Sequence, residues 1–234
     1  MKAIFKKEFR NYFMSPIGYI FVAVFTFLAS MFFSSGILMS QKADITIMFS
    51  DINLIYLFLA ALLTMRLLSE EKNKKTDQLL LSSPVSVTEI VLGKYLAAMA
   101  VFGVTILISL VYPAIMFKFG NPSLSEVIGS YIGFILLWGA FISVGVFISS
   151  LTESAVISAI LTLVINILIL YMGNFASLIQ VQWIANLFNK LAFINATESF
   201  AQQQFSIPNI VYFLSIIAIF LFLSVRSLEK RRWA

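Results

Sequence analysis

The sequence contains no cysteine and no histidine. Disulfides, thiolate nucleophiles, imidazole bases and His-ligated metals are thereby excluded. Charge is scarce too: Asp, Glu, Lys and Arg make up 12% of the residues, about half the usual share for a soluble domain. A 234-residue chain so poor in charge could not cover a water-facing surface. Hydrophobic residues make up 60%, with 24 Phe, and the net charge is +5. The composition is that of a membrane protein.

The charge-free runs set the layout. Residues 11–41, 52–65, 95–117, 127–152, 154–189 and 199–225 carry no charged side chain. A helix crosses a bilayer with about 20 apolar residues. Five runs suffice outright. The run after Asp51 is short, but Arg66 can snorkel and Leu67 and Leu68 extend it. The chain is therefore read as all-α and polytopic. Six transmembrane helices are expected near 17–40, 52–69, 90–117, 127–150, 154–173 and 208–226. The first is too long for the apolar core of a cleaved signal peptide and is expected to stay as an anchor.

Orientation follows from Lys and Arg. With the N-terminus in the cytoplasm, the inner face holds Lys2, Lys6, Lys7, Arg10, Arg66, Lys72, Lys74, Lys75, Lys94, Arg226, Lys230, Arg231 and Arg232. The outer face keeps Lys42, Lys118 and Lys190. The positive-inside rule then places both termini in the cytoplasm.

Three stretches do not span. In residues 1–15, Phe5, Phe9, Tyr12 and Phe13 recur at helical spacing, with Lys and Arg on the other sides. This predicts an amphipathic helix on the inner leaflet, ended by Ser15-Pro16; a plain charged flank is the simpler alternative. Residues 70–89 open with Glu70/Lys74 and Glu71/Lys75 pairs at i,i+4, which favour a helix. Leu79, Leu80 and Leu81 follow, then a Ser83-Pro84 stop, then Ser86-x-x-Glu89, a capping box that launches the next helix. Such a loop suits a rigid lever on a cytoplasmic partner, or else a structured connection with none. In residues 174–207 an apolar stripe runs from Leu178 to Leu191, with Gln180, Gln182, Asn186 and Asn189 off it. One or two helices dipping into the outer leaflet, or lying on it, are expected; a seventh span is the competing reading, at odds with a basic C-terminus inside.

Catalytic signatures are lacking. Gly93-Lys94 is followed by Tyr95 and has no earlier Gly, so there is no phosphate loop. Ionisable groups are missing from mid-span, which removes the usual parts of a proton- or sodium-coupled relay. Thr162 and Asn166 share one face of the fifth span, and Asn53, Tyr56 and Thr64 lie on the second. They are the residues that could face a wet seam; helix packing is the competing role. Gly129-x-x-x-Gly133 and Gly145-x-x-x-Ser149 suggest close helix approach, and the Asn195-Ala-Thr sequon reads as a chance match.

Two stretches carry a family resemblance: K-K-E-F-R-N-Y-F-M-S-P-I-G-Y-I at residues 6–20, and the loop from Glu70 to Lys94. Both resemble ABC-2-type transporter permeases, in particular the branch of gliding-motility-associated permeases. Thr76, Leu79, Leu80, Pro84, Val85, Ser86, Glu89, Leu92, Gly93 and Lys94 match the family's loop pattern. Lys75 stands where the family usually has Gly, and Gln78 where it often has Glu. The resemblance implies the membrane subunit of an ATP-binding-cassette exporter in the cytoplasmic membrane. It would pair with a second copy or a close paralogue. A separate cytoplasmic ATPase would supply ATP and Mg, with no cofactor in this chain and no nucleic-acid partner. Glu70, Glu71, Thr76, Leu79, Leu80, Pro84, Ser86, Glu89 and Lys94 would form the ATPase-coupling set, and the turn at 149–154 a smaller contact. A non-transporting scaffold or ATPase anchor, and a secondary transporter, are the rival readings.

Overall fold

A computed structural model describes residues 1–39, 45–76, 78, 85–176, 181–183, 193 and 207–232, with the backbone alone for 46–54, 175, 176 and 232. The described residues are helical, without strands. Helix α1 is Lys2–Met14 and α2 is Pro16–Phe32, the latter continued by a π-helical turn, Phe33–Leu38. Then come α3 (Ile45–Thr64), α4 (Ser69–Asn73), α5 (Val87–Ser109) and α6 (Val111–Phe119). The chain continues with α7 (Leu124–Leu151), α8 (Ala155–Leu170), α9 (Met172–Ala176) and α10 (Ile207–Arg232).

Among the described residues, four helical stretches are long and apolar enough to cross a bilayer: Pro16–Leu38, Val87–Phe119, Leu124–Leu151 and Ile207–Arg231. Helix α8 is apolar but shorter, and α3 has 20 residues. Helix α7 is the central post. It packs against α10, α3, α8 and α5, and nearly every side of it is buried, as its all-round apolar sequence requires.

Several boundaries differ from the sequence reading, each for a local reason. Where a second span was expected at 52–69, the structure has the helix Ile45–Thr64, followed by a turn through Leu68. Charge was used to place its start, but a charged residue near a helix end does not interrupt the backbone ladder. The third, expected as continuous over 90–117, breaks at Leu110. Pro113 carries no N–H for the Ser109 carbonyl one turn back. The Tyr131 hydroxyl of α7 donates to that carbonyl instead, at 2.9 Å. The break is thus satisfied from a neighbouring helix, as apolar surroundings demand.

Six aromatic rings lock α2, α3, α5 and α7 together. Phe25 stacks on Tyr56 and Phe102 on Trp138, each at 4.4 Å between centroids, with Phe21 and Phe134 edge-on or tilted around Trp138. Lipid tails are as apolar as these side chains, so the association rests on close van der Waals packing, which flat rings supply. Residues 174–207, read as an outer hairpin, lie mostly outside the described residues.

Candidate functional site: the charged end of the bundle

One end of the bundle gathers α1, α4, the first turn of α5, the α7–α8 turn and the C-terminal part of α10. Helix α1 is the separate helix that its sequence suggests, but its buried face is Ile4, Glu8 and Tyr12. Of the expected Phe5, Phe9, Tyr12 and Phe13 stripe, Tyr12 is buried and the three Phe are partly buried against the core, their rings in a row, stacked at 6.0 Å and then tilted at 5.1 Å. Glycine permits the docking: a Cβ on Gly93 of α5 would lie 2.9 Å from Ile4 Cγ2. Tyr12 is buried, and its hydroxyl donates to the Leu63 carbonyl at 2.6 Å. That carbonyl lies in the last turn of α3, where helical partners run out. Burial pushes the Tyr12 hydroxyl well above its ordinary range, so it remains a donor.

Lys94 is the hub. It is 1% exposed, and its ammonium lies 3.2 Å from Glu8 of α1 and 2.9 Å from Glu71 of α4. Lys7 approaches the same carboxylates at 3.8 and 4.0 Å. A buried ammonium needs such compensation. Three elements far apart in sequence thus share one ionic cluster. The N-terminal ammonium adds a further tie, 3.3 Å from Glu89. Ser86 caps α5, its hydroxyl accepting from the Glu89 N–H at 3.2 Å.

Helix α4 is short but held at both ends. At its start, Ser149 of α7 accepts from the N–H groups of Leu68 and Ser69, at 3.0 and 3.1 Å. A hydroxyl from another helix here does the work of an N-cap. The Lys72 ammonium donates to the Ser150 carbonyl. At its end, the Lys75 N–H reaches the Lys72 carbonyl at 3.1 Å and the Thr76 N–H the Glu71 carbonyl at 2.9 Å. This pair of bonds is a Schellman motif, which requires a left-handed residue just past the cap. Lys75 fills that position, with φ of 56°. Of the two pairs expected along this helix, Glu70–Lys74 forms at 2.7 Å, while Glu71 turns to Lys94 rather than Lys75.

The α7–α8 turn is tied in as well. Glu153 pairs with Arg231 of α10 at 2.7 Å, and the Ser227 hydroxyl reaches the Ser150 carbonyl at 3.4 Å. Gly145-x-x-x-Ser149 has a concrete role. A Cβ on Gly145 would lie 2.7 Å from Thr64 Cβ, so glycine lets α3 approach α7 closely enough for Ser149 to cap α4.

Of the residues assigned to coupling, the structure brings Glu70, Glu71, Thr76, Ser86, Glu89 and Lys94 to this one end. Lys94 is interior, so it acts on any partner only through Glu8 and Glu71. Leu79, Leu80 and Pro84 lie outside the described residues, as does the Asn53 side chain. Tyr56, Thr64, Thr162 and Asn166 are all buried within the subunit, Tyr56 among the aromatic rings and the last two on the face of α8 covered by α3 and α7. Ser158 extends that face. Sequence reasoning missed Glu8 as a partner of Lys94; its signal was a carboxylate spaced four residues from both Ile4 and Tyr12 on an apolar face.

An all-helical chain with several bilayer-length apolar helices and an ordered polar end is a membrane protein. It belongs to the ABC-2 family of transporters: the family described as ABC-2 family transporter protein matches residues 2–233. No curated protein matches it. Membership makes the chain a membrane component of transport rather than a catalytic subunit.

Proposed function

We propose that the chain is the permease subunit of an ATP-binding-cassette exporter, moving a substrate outward across the cytoplasmic membrane under a separate ATPase. The observation that carries this reading is the Glu8–Lys94–Glu71 cluster, which joins the N-terminal helix, the loop helix and the third span into one unit. The charged end is then cytoplasmic, and a load on α4 passes directly to α1 and α5. Glu70, Thr76 and the 77–85 loop face the ATPase, with Leu79, Leu80 and Pro84 in contact. ATP and Mg reside in that partner. Six spans, cytoplasmic termini, an outer hairpin at 174–207 and pairing with a second permease complete the reading. The polar face of α8, with Thr162 and Asn166, and the polar positions of α3, Asn53, Tyr56 and Thr64, line the route when the seam between these helices opens.

The deciding experiment is co-expression and co-purification with candidate ATP-binding-cassette ATPases from the same genome. Leu79→Asp with Leu80→Asp should leave membrane insertion intact and release the ATPase. Retained ATPase with full transport would overturn the docking assignment. Stable membrane insertion with no ATPase bound by the unmodified chain would favour the scaffold reading. For topology, single Cys residues at 190 and 203 should both label from outside with an impermeant thiol reagent. Labelling of 203 only from the cytoplasm would mean a seventh span.

A further inference from the structure

The charged end contains a cleft of about 520 Å³ between α1, the start of α2 and α4. We infer that this cleft binds the phosphodiester headgroup of an inner-leaflet phospholipid, with Arg66 as the phosphate ligand. The inference rests on the cytoplasmic placement of this end and adds to it a ligand that the coupling elements themselves would sense.

The charges in the cleft balance except at one place. Glu8 and Glu71 are met by Lys94 and Lys7, and Glu70 is met by Lys74. Arg66 lines the same cleft, is exposed, and has no carboxylate within ion-pair distance among the described residues. The walls therefore leave one uncompensated cation, which suits one monoanion. A guanidinium offers paired N–H donors to phosphate oxygens. Asn11 lines the cleft as well and supplies an uncharged amide.

The other wall favours a lipid over a soluble phosphate. Met14, Ile17 and Leu67 line the cleft, and Met14 is 70% exposed. These residues sit at the bend where α1 ends and Pro16 starts α2. That bend marks the boundary between a helix lying on the leaflet and one entering it, the depth of the headgroups and first acyl carbons. A diacyl phospholipid could place its phosphate at Arg66 and its chains against Met14 and Ile17.

The occupant would touch both α1 and α4 without reaching a nucleotide. Lipid composition would then set how firmly the Lys94 cluster holds these helices together.

The test uses the purified permease alone, by native mass spectrometry. The full chain and an Arg66→Gln variant are titrated with phosphatidylglycerol and, separately, with diacylglycerol. Removing one charge-assisted phosphate contact should weaken phosphatidylglycerol binding by about tenfold. Diacylglycerol, which lacks the phosphate, should bind both chains equally, and Arg66→Lys should keep most of the affinity. Equal phosphatidylglycerol binding by the full chain and Arg66→Gln would overturn the site. Displacement of the lipid by millimolar inorganic phosphate would show a soluble-anion site and overturn the lipid assignment. Because no ATPase is present, loss of ATPase docking in other assays would leave this result standing.

Discussion

The Tyr131 hydroxyl fills the hydrogen bond that Pro113 withholds from the Ser109 carbonyl, 2.9 Å away. The Ser109 hydroxyl lies 3.1 Å from the same phenol, so the broken stretch Val87–Phe119 is pinned to α7 by one side chain. Tyr131→Phe should destabilise the fold by about 1 kcal/mol, the ordinary worth of such a bond, with values nearer 0.6 common between membrane helices. The loss should largely vanish in a Pro113→Ala background, where the helix can supply its own N–H. Thermal unfolding of the four-member cycle in detergent checks this. An equal loss with and without Pro113 would show that the phenol acts by packing alone.

Lys94 is the position where one substitution should do most damage. Lys94→Met leaves Glu8 and Glu71 side by side with only the more distant, exposed Lys7 to answer them, and a broken buried pair costs up to roughly 3–5 kcal/mol. Adding Glu8→Gln and Glu71→Gln removes the stranded charges and should restore much of the stability. ATPase coupling should stay lost in the restored triple variant, since the cluster no longer ties α1 to α4. A triple variant as unstable as the single, or one with full transport, would contradict this account of the cluster.

Lys75 sits in left-handed backbone at the end of α4, with φ of 56°. A non-glycine residue there costs on the order of 1 kcal/mol. Lys75→Gly should therefore raise stability by up to that amount, most visibly as slower amide exchange at Thr76 and Lys75, the two donors of the motif. Faster exchange would show that the lysine side chain has a stabilising role that outweighs the backbone strain.

The same residue shows what the sequence could and could not tell. The family pattern has Gly at this position, and the departure could be seen in the letters; that the position is left-handed could not, because it depends on where α4 stops. Capping of α5 by Ser86 was legible, since the box is local. The amphipathic face of α1 was legible only in part, because its periodicity fits two stripes that meet at Tyr12. One is rich in Phe; the other, Ile4–Glu8–Tyr12, includes a charge whose partner lies on another helix. Helix ends were legible to within several residues; the turn between Thr64 and Ser69, held from outside by Ser149, was not, and the helix before it was expected to run on to 69. Pairings between distant residues leave no mark in a single sequence.

The face Ser158–Thr162–Asn166 yields the last prediction. All three residues are fully buried. The hydroxyls of Ser158 and Thr162 and both amide atoms of Asn166 have no hydrogen-bond partner among the described residues. Leaving such groups dry costs roughly 1–3 kcal/mol each, so apolar replacements should strengthen the closed seam. Asn166→Leu, similar in volume, should raise the thermal stability of the resting permease. If the polar face serves a wetted state during transport, the same variant should lower substrate-stimulated ATPase activity of the assembled complex, a stability gain at the expense of function. Cys at 166 should label with a soluble thiol reagent during ATP turnover and resist it without nucleotide. A destabilised Asn166→Leu variant would mean that the amide is satisfied in the resting state. A stabilised variant with undiminished activity and no turnover-dependent labelling would place the route elsewhere in the bundle.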